Sequence, residues 1–504
     1  MGILNDAVAS LKALTAPGHK YRAIPAPVTD RDRVQQVFDE RATRSRFFKL
    51  SMATMLLAVI LFFSVAFGRN RADPKSCADS ASCTYNPHKH WGQYSPYFSA
   101  PHGSIKPEVP SGCEVNFASV LSRHGSRYPT ENKSKAYKKL IERIQKDVKN
   151  FGKGFEVIKQ YKYTLGVNNL TSYGENELIK SGKTFFKRYQ KLAEESTHPF
   201  VRSSGSDRVV LSAERFLHGF YKAKGKDGGK YLKDILVIPE GEGFNNTLDH
   251  GTCKNFEEGH DSDLGDVKKA AWRKIWATPI MERLNKKLPG AKLSLEETVY
   301  IMDLCPFSTV ASDKGKSSDL CRMFSKEEWK GYEYYESLEK WYAYGPGNPL
   351  GPTQGVGYVN ELIARLTKSP VVDQTSTNRT LDSQSTTFPI NRLLYADFTH
   401  DNTLMTVYGA LGLYMDATVL PTDHRVSPKK AGGFSASWTV PFGSRMYVEK
   451  MHCGKDAHEL VRVLVDDRVV PPTGCKADKL GRCEINDFLK GLDFAKNGGH
   501  WDRC

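Results

Sequence analysis

The stretch Val115 to Thr130 reads Val-Asn-Phe-Ala-Ser-Val-Leu-Ser-Arg-His-Gly-Ser-Arg-Tyr-Pro-Thr. Its first part, up to Leu121, is an apolar, β-prone run that predicts a buried strand. The run ends at Ser122-Arg123-His124, and a helical pattern follows. Its apolar positions are Tyr137, Leu140, Ile141, Ile144, Val148 and Phe151. This order of strand, polar loop and helix predicts a unit of α/β structure.

Two later segments repeat the order of strand, polar loop and helix. Pro199 to Arg202 is a short extended run into Ser203-Ser204-Gly205-Ser206, and helical spacing follows it. Leu393 to Phe398 ends at Thr399-His400-Asp401, before another helical pattern. In α/β sheets, ligands bind outside the carboxyl ends of the strands. We therefore expect these three loops to meet at one edge of a sheet.

The loop after the first strand carries groups that suit a phosphate monoester. Arg123 and Arg127 flank His124, and a guanidinium donates two hydrogen bonds to phosphate oxygens. A neutral imidazole nitrogen can attack phosphorus, and Gly125 permits close backbone approach. The competing interpretation of this motif alone is a chance Arg-His-Gly tripeptide in a polar loop.

The other two loops supply candidates for the remaining roles. The leaving oxygen needs a proton, which a carboxylic acid such as Asp401 donates at mildly acidic pH. His400 beside it would hold the phosphate, and Arg202 would be a third cationic donor. Each residue alone also has an ordinary explanation, as a helix N-cap beside a common histidine or as a surface ion pair.

A set of motifs along the chain resembles one family. The segment Val120 to Thr130 resembles the signature of the histidine acid phosphatases, and among them the fungal phytases most closely. Further segments are similar to fungal phytases in the same order: Trp91 to Tyr94, Arg202 to Gly205, Gly347 to Tyr358, Ala396 to Asn402 and Val461 to Val465. The resemblance covers residues 77 to 504. It implies hydrolysis of phosphate monoesters of the 3-phytase type, with phytate (myo-inositol hexakisphosphate) as the small-molecule partner and no cofactor.

The resemblance also implies a role for each matched residue. His124 is expected to accept the phosphoryl group, and Asp401 to protonate the leaving oxygen. The expected phosphate clamp consists of Arg123, Arg127, Arg202 and His400, and the expected substrate rim includes Gln93, Lys133, Asp303 and Lys340. A protonated Asp401 and a labile phosphoramidate both favour low pH, so we expect an acidic optimum.

Two positions depart from the lysine-rich rim of some fungal phytases, namely Ala136 and Glu339. They leave open a broad-specificity acid phosphatase of the same family. A membrane-anchored binding protein on an inactive phosphatase scaffold is disfavoured because every matched catalytic position is intact. A phosphoglycerate-mutase-like transferase also shares Arg-His-Gly, but the Arg127-Tyr128-Pro129 extension and His400-Asp401 disfavour it.

Ten cysteines follow residue 76 and none precedes it, which predicts a disulfide framework in an oxidising compartment. Spacing alone leaves the connectivity open, whereas the phytase resemblance implies Cys77–Cys83, Cys113–Cys453, Cys253–Cys504, Cys305–Cys321 and Cys475–Cys483. There is no Cys-x-x-Cys pair, and we expect no metal site. Glycosylation sequons at Asn132, Asn169, Asn245 and Asn378 agree with the secretory pathway.

The N-terminal part has a different character. Residues 50–67 contain eighteen consecutive residues without a charge, which is just long enough to span a bilayer. Basic residues are denser before this segment than after it, so we expect a cytosolic N-terminus and a type II signal anchor. The alternative is a cleaved signal peptide ending near Ala66-Phe67-Gly68, with release of a secreted form. The net charge of +15 is too diffuse beyond residue 72 to predict a nucleic-acid partner, and no obligate protein partner is expected.

These observations predict a domain plan. Residues 1–49 form a basic, disordered cytosolic tail, 50–67 one transmembrane helix, and 68–100 a stalk and lead-in. Residues 101–504 form the catalytic region on the extracellular or luminal side. The expected fold, implied by the resemblance, is the phosphoglycerate-mutase-like α/β fold of the histidine phosphatases. It has a central mixed sheet flanked by helices, and a smaller helical domain is inserted at about 210–340.

Overall fold

A mixed sheet of eight strands organises the part of the chain that the computed structural model describes, residues 87–195, 198–241, 243–417, 419–454 and 458–504. The strands are β1 (Cys113–Arg123), β2 (Phe200–Ser204), β3 (Leu236–Ile238), β4 (Leu394–Thr399), β5 (Arg445–Cys453), β6 (Glu459–Val465), β7 (Arg468–Val469) and β8 (Arg482–Glu484). Their order is β3-β2-β4-β1-β5-β6-β7, and β8 also pairs with β6. The predicted α/β fold with a mixed central sheet is confirmed.

The sheet has a parallel part and an antiparallel part, in which β5–β6, β6–β7 and β6–β8 are all antiparallel pairs. The strands β3, β2, β4 and β1 run parallel, whereas β5 is antiparallel to β1. The strands β6 and β7 form a hairpin, and its turn residues Asp466 and Asp467 have φ values of 48° and 65°. Positive φ at both positions is what a two-residue hairpin turn requires.

The helices cover both faces of this sheet. They are α1 (Glu131–Asp147), α2 (Glu156–Gln160), α3 (Ser172–Arg188), α4 (Gln190–Glu195), α5 (Asp207–Ala223), α6 (Lys254–Glu258), α7 (Leu264–Lys287), α8 (Leu295–Val310), α9 (Lys326–Glu339), α10 (Val356–Thr367), α11 (Arg379–Asp382), α12 (Asp401–Ala410), α13 (Ala436–Thr439), α14 (Ile485–Lys490) and α15 (Asp493–Lys496). A π-helical turn, Lys340–Tyr344, continues directly from α9.

Alternation along the strands divides the apolar core into two layers. Successive side chains of a strand point to opposite faces, and β1 contributes Ala118 and Val120 to one layer but Phe117 and Leu121 to the other. The first layer packs against α3 and α5, and the second extends into the helices around α7, α8 and α9. The sheet is therefore buried on both sides.

The helices α7 to α9 pack on one another beside the sheet. Ser294 and Glu297 form a capping box at the start of α8, as do Ser325 and Glu328 at the start of α9, and this arrangement satisfies orphan backbone N–H groups. The indole of Trp272 in α7 donates to the Gly331 carbonyl of α9 over 3.0 Å. The range 210–340, for which a helical insertion was predicted, contains a single strand among its described residues, β3.

The described chain has four disulfides. Cys113–Cys453 and Cys253–Cys504 join distant parts of the sequence, whereas Cys305–Cys321 and Cys475–Cys483 close short loops. These four predicted pairings are confirmed, and the pairing of Cys77 with Cys83 lies outside the described residues. The same is true of the predicted membrane span, residues 50–67. Among the helices that are described, none has the length and apolar character needed to cross a bilayer.

Candidate active site

The loops after β1, β2 and β4 meet at one edge of the sheet. Arg123, the last residue of β1, is in register with Thr399, the last residue of β4. The next residue, His124, donates its backbone N–H to the Thr399 carbonyl over 3.0 Å. His400 is the N-cap of α12, and Asp401 is the first residue of that helix. The expected convergence of the loops is therefore present.

Segment 169–177 fixes the loop that carries His124. The backbone N–H of Ser126 donates to Glu177 Oε2 over 2.8 Å, and its carbonyl accepts from the N–H of Thr171 over 3.0 Å. The loop also lies against α3, because a Cβ at Gly174 would overlap the Ser126 carbonyl and one at Gly125 would meet the Gly174 carbonyl. These contacts leave the loop little freedom to shift.

The meeting point of the loops is a cavity of about 330 Å³, a size typical of small-molecule sites. The residues that line it are almost all polar: Gln93, Tyr94, His124, Arg127, Arg208, Glu240, Asp249, His250, Glu339, Lys340, His400, Asp401 and Asn402.

His124 lies at the cavity with one ring nitrogen already bonded. Its Nδ1 is 2.9 Å from the Gly125 carbonyl, an acceptor, so Nδ1 carries the proton. Nε2 is then left with a free lone pair. Burial holds the pKa of His124 well below its usual range, and the nearby Arg123, Arg208 and Arg127 lower it further. The imidazole is therefore neutral and available as a nucleophile.

Arg123 is fully buried at the end of β1, directly before His124. One terminal nitrogen donates to the carbonyls of Gln93 and Val440, over 2.5 and 2.6 Å, and the guanidinium stacks on the Phe442 ring at 4.5 Å. Its Nε and its other terminal nitrogen are buried and have no hydrogen-bond partner in the described part of the chain. Buried donors are nearly always satisfied, so these two N–H groups are suited to an anion.

Arg208, rather than Arg202, brings the third guanidinium to the cavity. It lies in the first turn of α5, and one terminal nitrogen donates to His400 Nδ1 over 3.2 Å. Arg127 also lines the cavity. With Arg123, these side chains supply the three cationic donors that the sequence predicted, although one of them is a different residue.

The prediction that Arg202 belongs to the phosphate clamp is wrong. Its guanidinium is buried against carboxylates, with Nε 2.9 Å from Asp397 Oδ1 and a terminal nitrogen 2.6 Å from Glu361 Oε2. Arg365 contacts the other oxygen of Asp397 at 2.5 Å. Arg202 lies within β2, so its side chain points into a core layer, where its ion pairs stabilise the sheet. Arg208 lies in the first turn of α5, which begins at the edge of the sheet, and its side chain therefore reaches the cavity.

His400 links Arg208 to a carboxylate that the sequence analysis missed. His400 Nε2 is 2.8 Å from Glu240 Oε1. Since Nδ1 accepts from Arg208, the proton of a neutral His400 is on Nε2 and is donated to Glu240. Burial acts to raise the pKa of Glu240, but the hydrogen bonds from His400, Ser206 and Ser204, together with the charge that His400 carries when protonated, outweigh it and hold this pKa far below its usual value. Glu240 is therefore an anion at any working pH.

Asp401 lies between two cations. Its Oδ2 is 2.8 Å from the Lys340 ammonium, and its Oδ1 is 3.4 Å from a terminal nitrogen of Arg123. Burial acts to raise the pKa of Asp401, but the charges of Arg123 and Lys340 outweigh it and hold this pKa well below its usual range. In the free protein Asp401 is a carboxylate, which differs from the protonated acid that the sequence analysis assumed.

The predicted rim residues fall into two groups. Gln93 and Lys340 line the cavity, and Gln93 donates to Glu336 Oε2 over 2.6 Å. Asp303 is fully buried instead, where it accepts from the hydroxyls of Tyr137 and Tyr332, each over 2.5 Å. Lys133 lies 3.2 Å from this carboxylate. Asp303 therefore positions Lys133 and does not line the cavity itself.

Tyr94 and Asn402 line the cavity from within matched motifs, and four further cavity residues had not been predicted, namely Arg208, Glu240, Asp249 and His250. Arg208 had a signal, because it follows the Ser203 to Ser206 loop and opens the next helix, where side chains face the sheet edge. Glu240 follows the short strand β3, which no apolar pattern had indicated. Asp249 and His250 lie in a loop without a local signal. No group of three metal-ligating side chains suited to an ion occurs within the described residues.

The predicted glycosylation sites differ in accessibility. Asn132, Asn169 and Asn245 are exposed, whereas Asn378 is half-buried. Asn132 lies in the first turn of α1, directly before Lys133. The side chain of Asn378 caps α11, because its Oδ1 accepts from the Leu381 N–H over 3.2 Å.

The site holds one neutral histidine nucleophile, three guanidinium groups and, in Asp401, a carboxylate that pairs with both Lys340 and Arg123. Such a set can bind a small dianion, accept its central atom on Nε2 and exchange a proton with the departing group.

Comparisons with known proteins agree with this chemistry. The family model described as histidine phosphatase superfamily (branch 2) matches residues 114–466. Phytase A of Emericella nidulans is 52% identical over 420 residues, covering 82% of this chain and 90% of that protein. Phytase A of Aspergillus fumigatus is 48% identical over 463 residues, covering 90% and 99%. The crystal structure of the phytase from D. castellii has a TM-score of 0.68 at 22% identity, covering 84% of this chain and 89% of that one, and shares the fold.

Proposed function

This chain belongs to branch 2 of the histidine phosphatase superfamily, and on that premise we propose that it hydrolyses phosphate monoesters through a phosphohistidine on His124. One observation carries the proposal. The Nδ1 proton of His124 is donated to the Gly125 carbonyl, which leaves Nε2 unprotonated beside Arg123, Arg127 and Arg208.

In the first step, Nε2 of His124 attacks phosphorus, so that a P–N bond forms while the ester P–O bond breaks. The electron pair of the broken bond stays with the leaving oxygen, which takes a proton from Asp401. The three arginines neutralise the phosphoryl oxygens, and this electrostatic stabilisation is the main requirement of phosphoryl transfer.

In the second step, water attacks the phosphorus of the phosphohistidine. The Asp401 carboxylate accepts a proton from that water, the P–N bond breaks, and its electron pair returns to Nε2. Inorganic phosphate leaves, and Asp401 is protonated again. One carboxyl group thus serves as acid and then as base.

Phytate is the proposed substrate, because the relatives that are 48–52% identical to this chain carry the name Phytase A. A second candidate, a broad-specificity acid phosphatase, is favoured by Glu339. Its carboxylate lines the cavity and is paired with Lys269 and Lys340. A carboxylate there repels additional phosphate groups of a polyanion and has little effect on a substrate with a single phosphate.

The experiment is an assay of the full chain between pH 3 and 8 on phytate, glycerol phosphate and an aryl phosphate, with EDTA present. His124→Ala is expected to lose at least about 10³-fold in kcat on every substrate. Rapid quenching in base is expected to trap a base-stable phosphoprotein in the wild type and none in the variant. Equal activity of the variant would overturn the mechanism.

The same assay separates the alternatives. A phytate preference of kcat/KM over both monoesters supports the phytase, and equal values support the broad phosphatase. The inactive-scaffold alternative is favoured if calorimetry detects phytate binding while no phosphate is released at any pH.

We propose further that residues 50–67 anchor the protein with its catalytic region, residues 101–504, in the lumen or outside the cell. The eighteen uncharged residues and the basic residues before them support this arrangement. Alkaline extraction of membranes is expected to leave the full chain in the pellet, and Leu57→Arg is expected to release it. A wild-type chain found only in the supernatant, with its N-terminus at about residue 68, would indicate a cleaved signal peptide instead.

We propose glycans at the four sequons. Treatment with an amidase that removes N-linked glycans is expected to lower the apparent mass, and Asn132→Gln is expected to remove one step of that change. An unchanged mass would contradict the proposed glycosylation.

A further inference from the structure

Five charged side chains of alternating sign form a continuous chain from Lys269 on α7 to the buried Arg123 at the end of β1. Lys269 contacts Glu339, and Glu339 Oε1 is 3.3 Å from the Lys340 ammonium. Lys340 is 2.8 Å from Asp401, and Asp401 is 3.4 Å from Arg123. Lys269 is the member of the chain farthest from Arg123 along these contacts, and it does not line the cavity.

The ammonium of Lys340 is shared among three acceptors. It donates to Asp401 Oδ2 at 2.8 Å and to Asn402 Oδ1 at 2.7 Å, while Glu339 Oε1 is more distant at 3.3 Å. The side chain of Lys340 is 3% exposed, so water contributes little to its solvation. The strength of the electrostatic interaction between Lys340 and Asp401 therefore depends on how closely Glu339 also approaches the Lys340 ammonium.

Lys269 weakens the interaction between Glu339 and Lys340. The other carboxylate oxygen of Glu339, Oε2, makes a close ion pair with Lys269, and this contact is shorter than the one to Lys340. The stem of Lys269 is fixed because α7 packs against α9, and its ammonium lies 5.1 Å from the centre of the Tyr335 ring. With the charge of Glu339 engaged by Lys269, Lys340 remains oriented toward Asp401.

We propose that Lys269 is a positioning residue for the reaction, which sets the upper pH limit of turnover by holding Glu339 away from the Lys340–Asp401 pair. The inference rests on the proposed function, since it requires that Asp401 donate the proton. Without the Lys269 ammonium, Glu339 turns to Lys340, Asp401 loses part of its counter-charge, and its carboxyl keeps its proton to a higher pH.

The groups that face this chain from the neighbouring elements are few. Arg123, His124 and Lys340 act on Asp401. Glu339 is affected by Lys269 and Lys340, and also by Lys133. Lys269 is also 3.6 Å from Asp266 on α7, and Tyr335 and Tyr344 face Lys269 and Lys340. Glu336, one turn before Glu339 on α9, accepts from Gln93 through its carboxyl group. The variants below leave Lys133 and Arg123 unchanged. Because Glu339 and Lys269 also affect the pKa of Glu336, each pH profile is measured in a Glu336→Gln background as well.

The test measures kcat at saturating phytate as a function of pH, because the basic limb of this profile reports the proton donor in the enzyme–substrate complex. Lys269→Met is expected to move the midpoint of that limb upward by about 0.5 to 1 pH unit. Glu339→Gln removes the competing carboxylate, so that Lys340 pairs with Asp401 only. This substitution is therefore expected to move the midpoint of the basic limb downward. The two neighbouring substitutions therefore have opposite signs.

Matched controls separate this effect from a general loss of charge. Lys268→Met removes an adjacent lysine of α7, whose ammonium lies 5.2 Å from the centre of the Tyr342 ring, and is expected to leave the limb unmoved. Lys269→Arg keeps the charge and is expected to restore the wild-type limb. In a Glu339→Gln background, Lys269→Met is expected to cause little further shift of the midpoint, because the ion pair between Lys269 and residue 339 is already absent. Urea midpoints check that each variant is folded.

Asp401→Asn distinguishes failure of the inference from failure of the proposed function. If that variant keeps the wild-type kcat and basic limb, Asp401 is not the acid, and both fall. If Asp401→Asn loses turnover while Lys269→Met and Lys268→Met have the same midpoint of the basic limb, the inference is overturned and the proposed function stands. A limb that moves downward in Lys269→Met overturns the inference as well.

Discussion

Replacing Arg208 and replacing Arg202 are expected to have opposite consequences for catalysis and stability. Arg208 lines the cavity, and its contact with another side chain of the site is the 3.2 Å hydrogen bond to His400. Losing one such donor to the transition state costs about 10²- to 10³-fold in kcat. We therefore expect Arg208→Met to lose about this factor on any phosphate monoester. Its stability should change by less than about 1 kcal/mol, because the side chain is partly exposed.

Arg202 is expected to behave in the opposite way. It is 1% exposed and bonds Asp397 and Glu361. Breaking a buried ion pair by removing one partner costs about 3 to 5 kcal/mol. Arg365 still contacts Asp397 in the variant, so we expect a loss near the lower end, about 3 kcal/mol, from Arg202→Met. The folded fraction should keep kcat within about threefold of the wild type, which is less than 1 kcal/mol.

Two measurements on each variant decide the matter: kcat with phytate at 20 °C, and the urea midpoint followed by tryptophan fluorescence. Active-site titration by the phosphoenzyme burst corrects kcat for any unfolded fraction. If Arg202→Met has a native midpoint and loses kcat as strongly as Arg208→Met, the assignment of the third guanidinium to Arg208 is refuted.

Three further expectations follow from contacts in and near the site. Burial, with Glu339 nearby, raises the pKa of Glu336 to about 7. Its contribution to stability is therefore present below its ordinary pKa of 4.5 and is lost as pH rises through 7. We expect the urea midpoint to fall between pH 5 and 7, and to fall less in Glu336→Gln; an equal fall would contradict this. Glu339→Lys is expected to raise kcat/KM for phytate at pH 6 by about tenfold, since it replaces repulsion with attraction, and to leave glycerol phosphate nearly unchanged. Equal changes on both substrates would count against a rim role. Gly174→Ala is expected to lower kcat by at least about tenfold, because the new methyl group displaces the Ser126 carbonyl and with it the catalytic loop. Gly103→Ala, where a Cβ meets no atom within 4 Å, is the control, and full activity of the Gly174 variant would show that the loop tolerates the shift.

The sequence was informative wherever a strand ended in a polar loop. The run before Arg123 and the run before His400 predicted β1 and β4, and the rule that ligands bind at the carboxyl ends of strands predicted that these two residues would meet. The predicted convergence needed no knowledge of the intervening 270 or so residues, because parallel neighbours in a sheet align their ends. The disulfide pairing, by contrast, came from the family resemblance.

The errors in the predicted site share one physical cause. A one-dimensional pattern indicates where a loop lies, but it does not determine which way a side chain points. Arg202 and Arg208 are six residues apart on either side of the same loop, and the strand residue points into the sheet's buried ion pairs. Asp303 was assigned to the rim, yet α8 directs it beneath Lys133. Glu240 follows a three-residue strand, too short to give an apolar pattern.

Asp401 must gain a proton before it can act as the acid, because the free protein holds it as a carboxylate between Lys340 and Arg123. A phosphate monoester has its second pKa near 6, so below that pH it arrives as a monoanion that carries a proton. When its oxygens bind Arg123, Arg127 and Arg208, the positive field that held Asp401 ionised is neutralised, and the carboxylate can take that proton. Transfer of the proton to Asp401 also converts the substrate into the dianion that the arginines bind best. On this reasoning an acidic optimum arises in the complex rather than in the free enzyme. The basic limb of kcat/KM then follows the ionisation of the substrate, while the basic limb of kcat follows Asp401 and the lysine beside it.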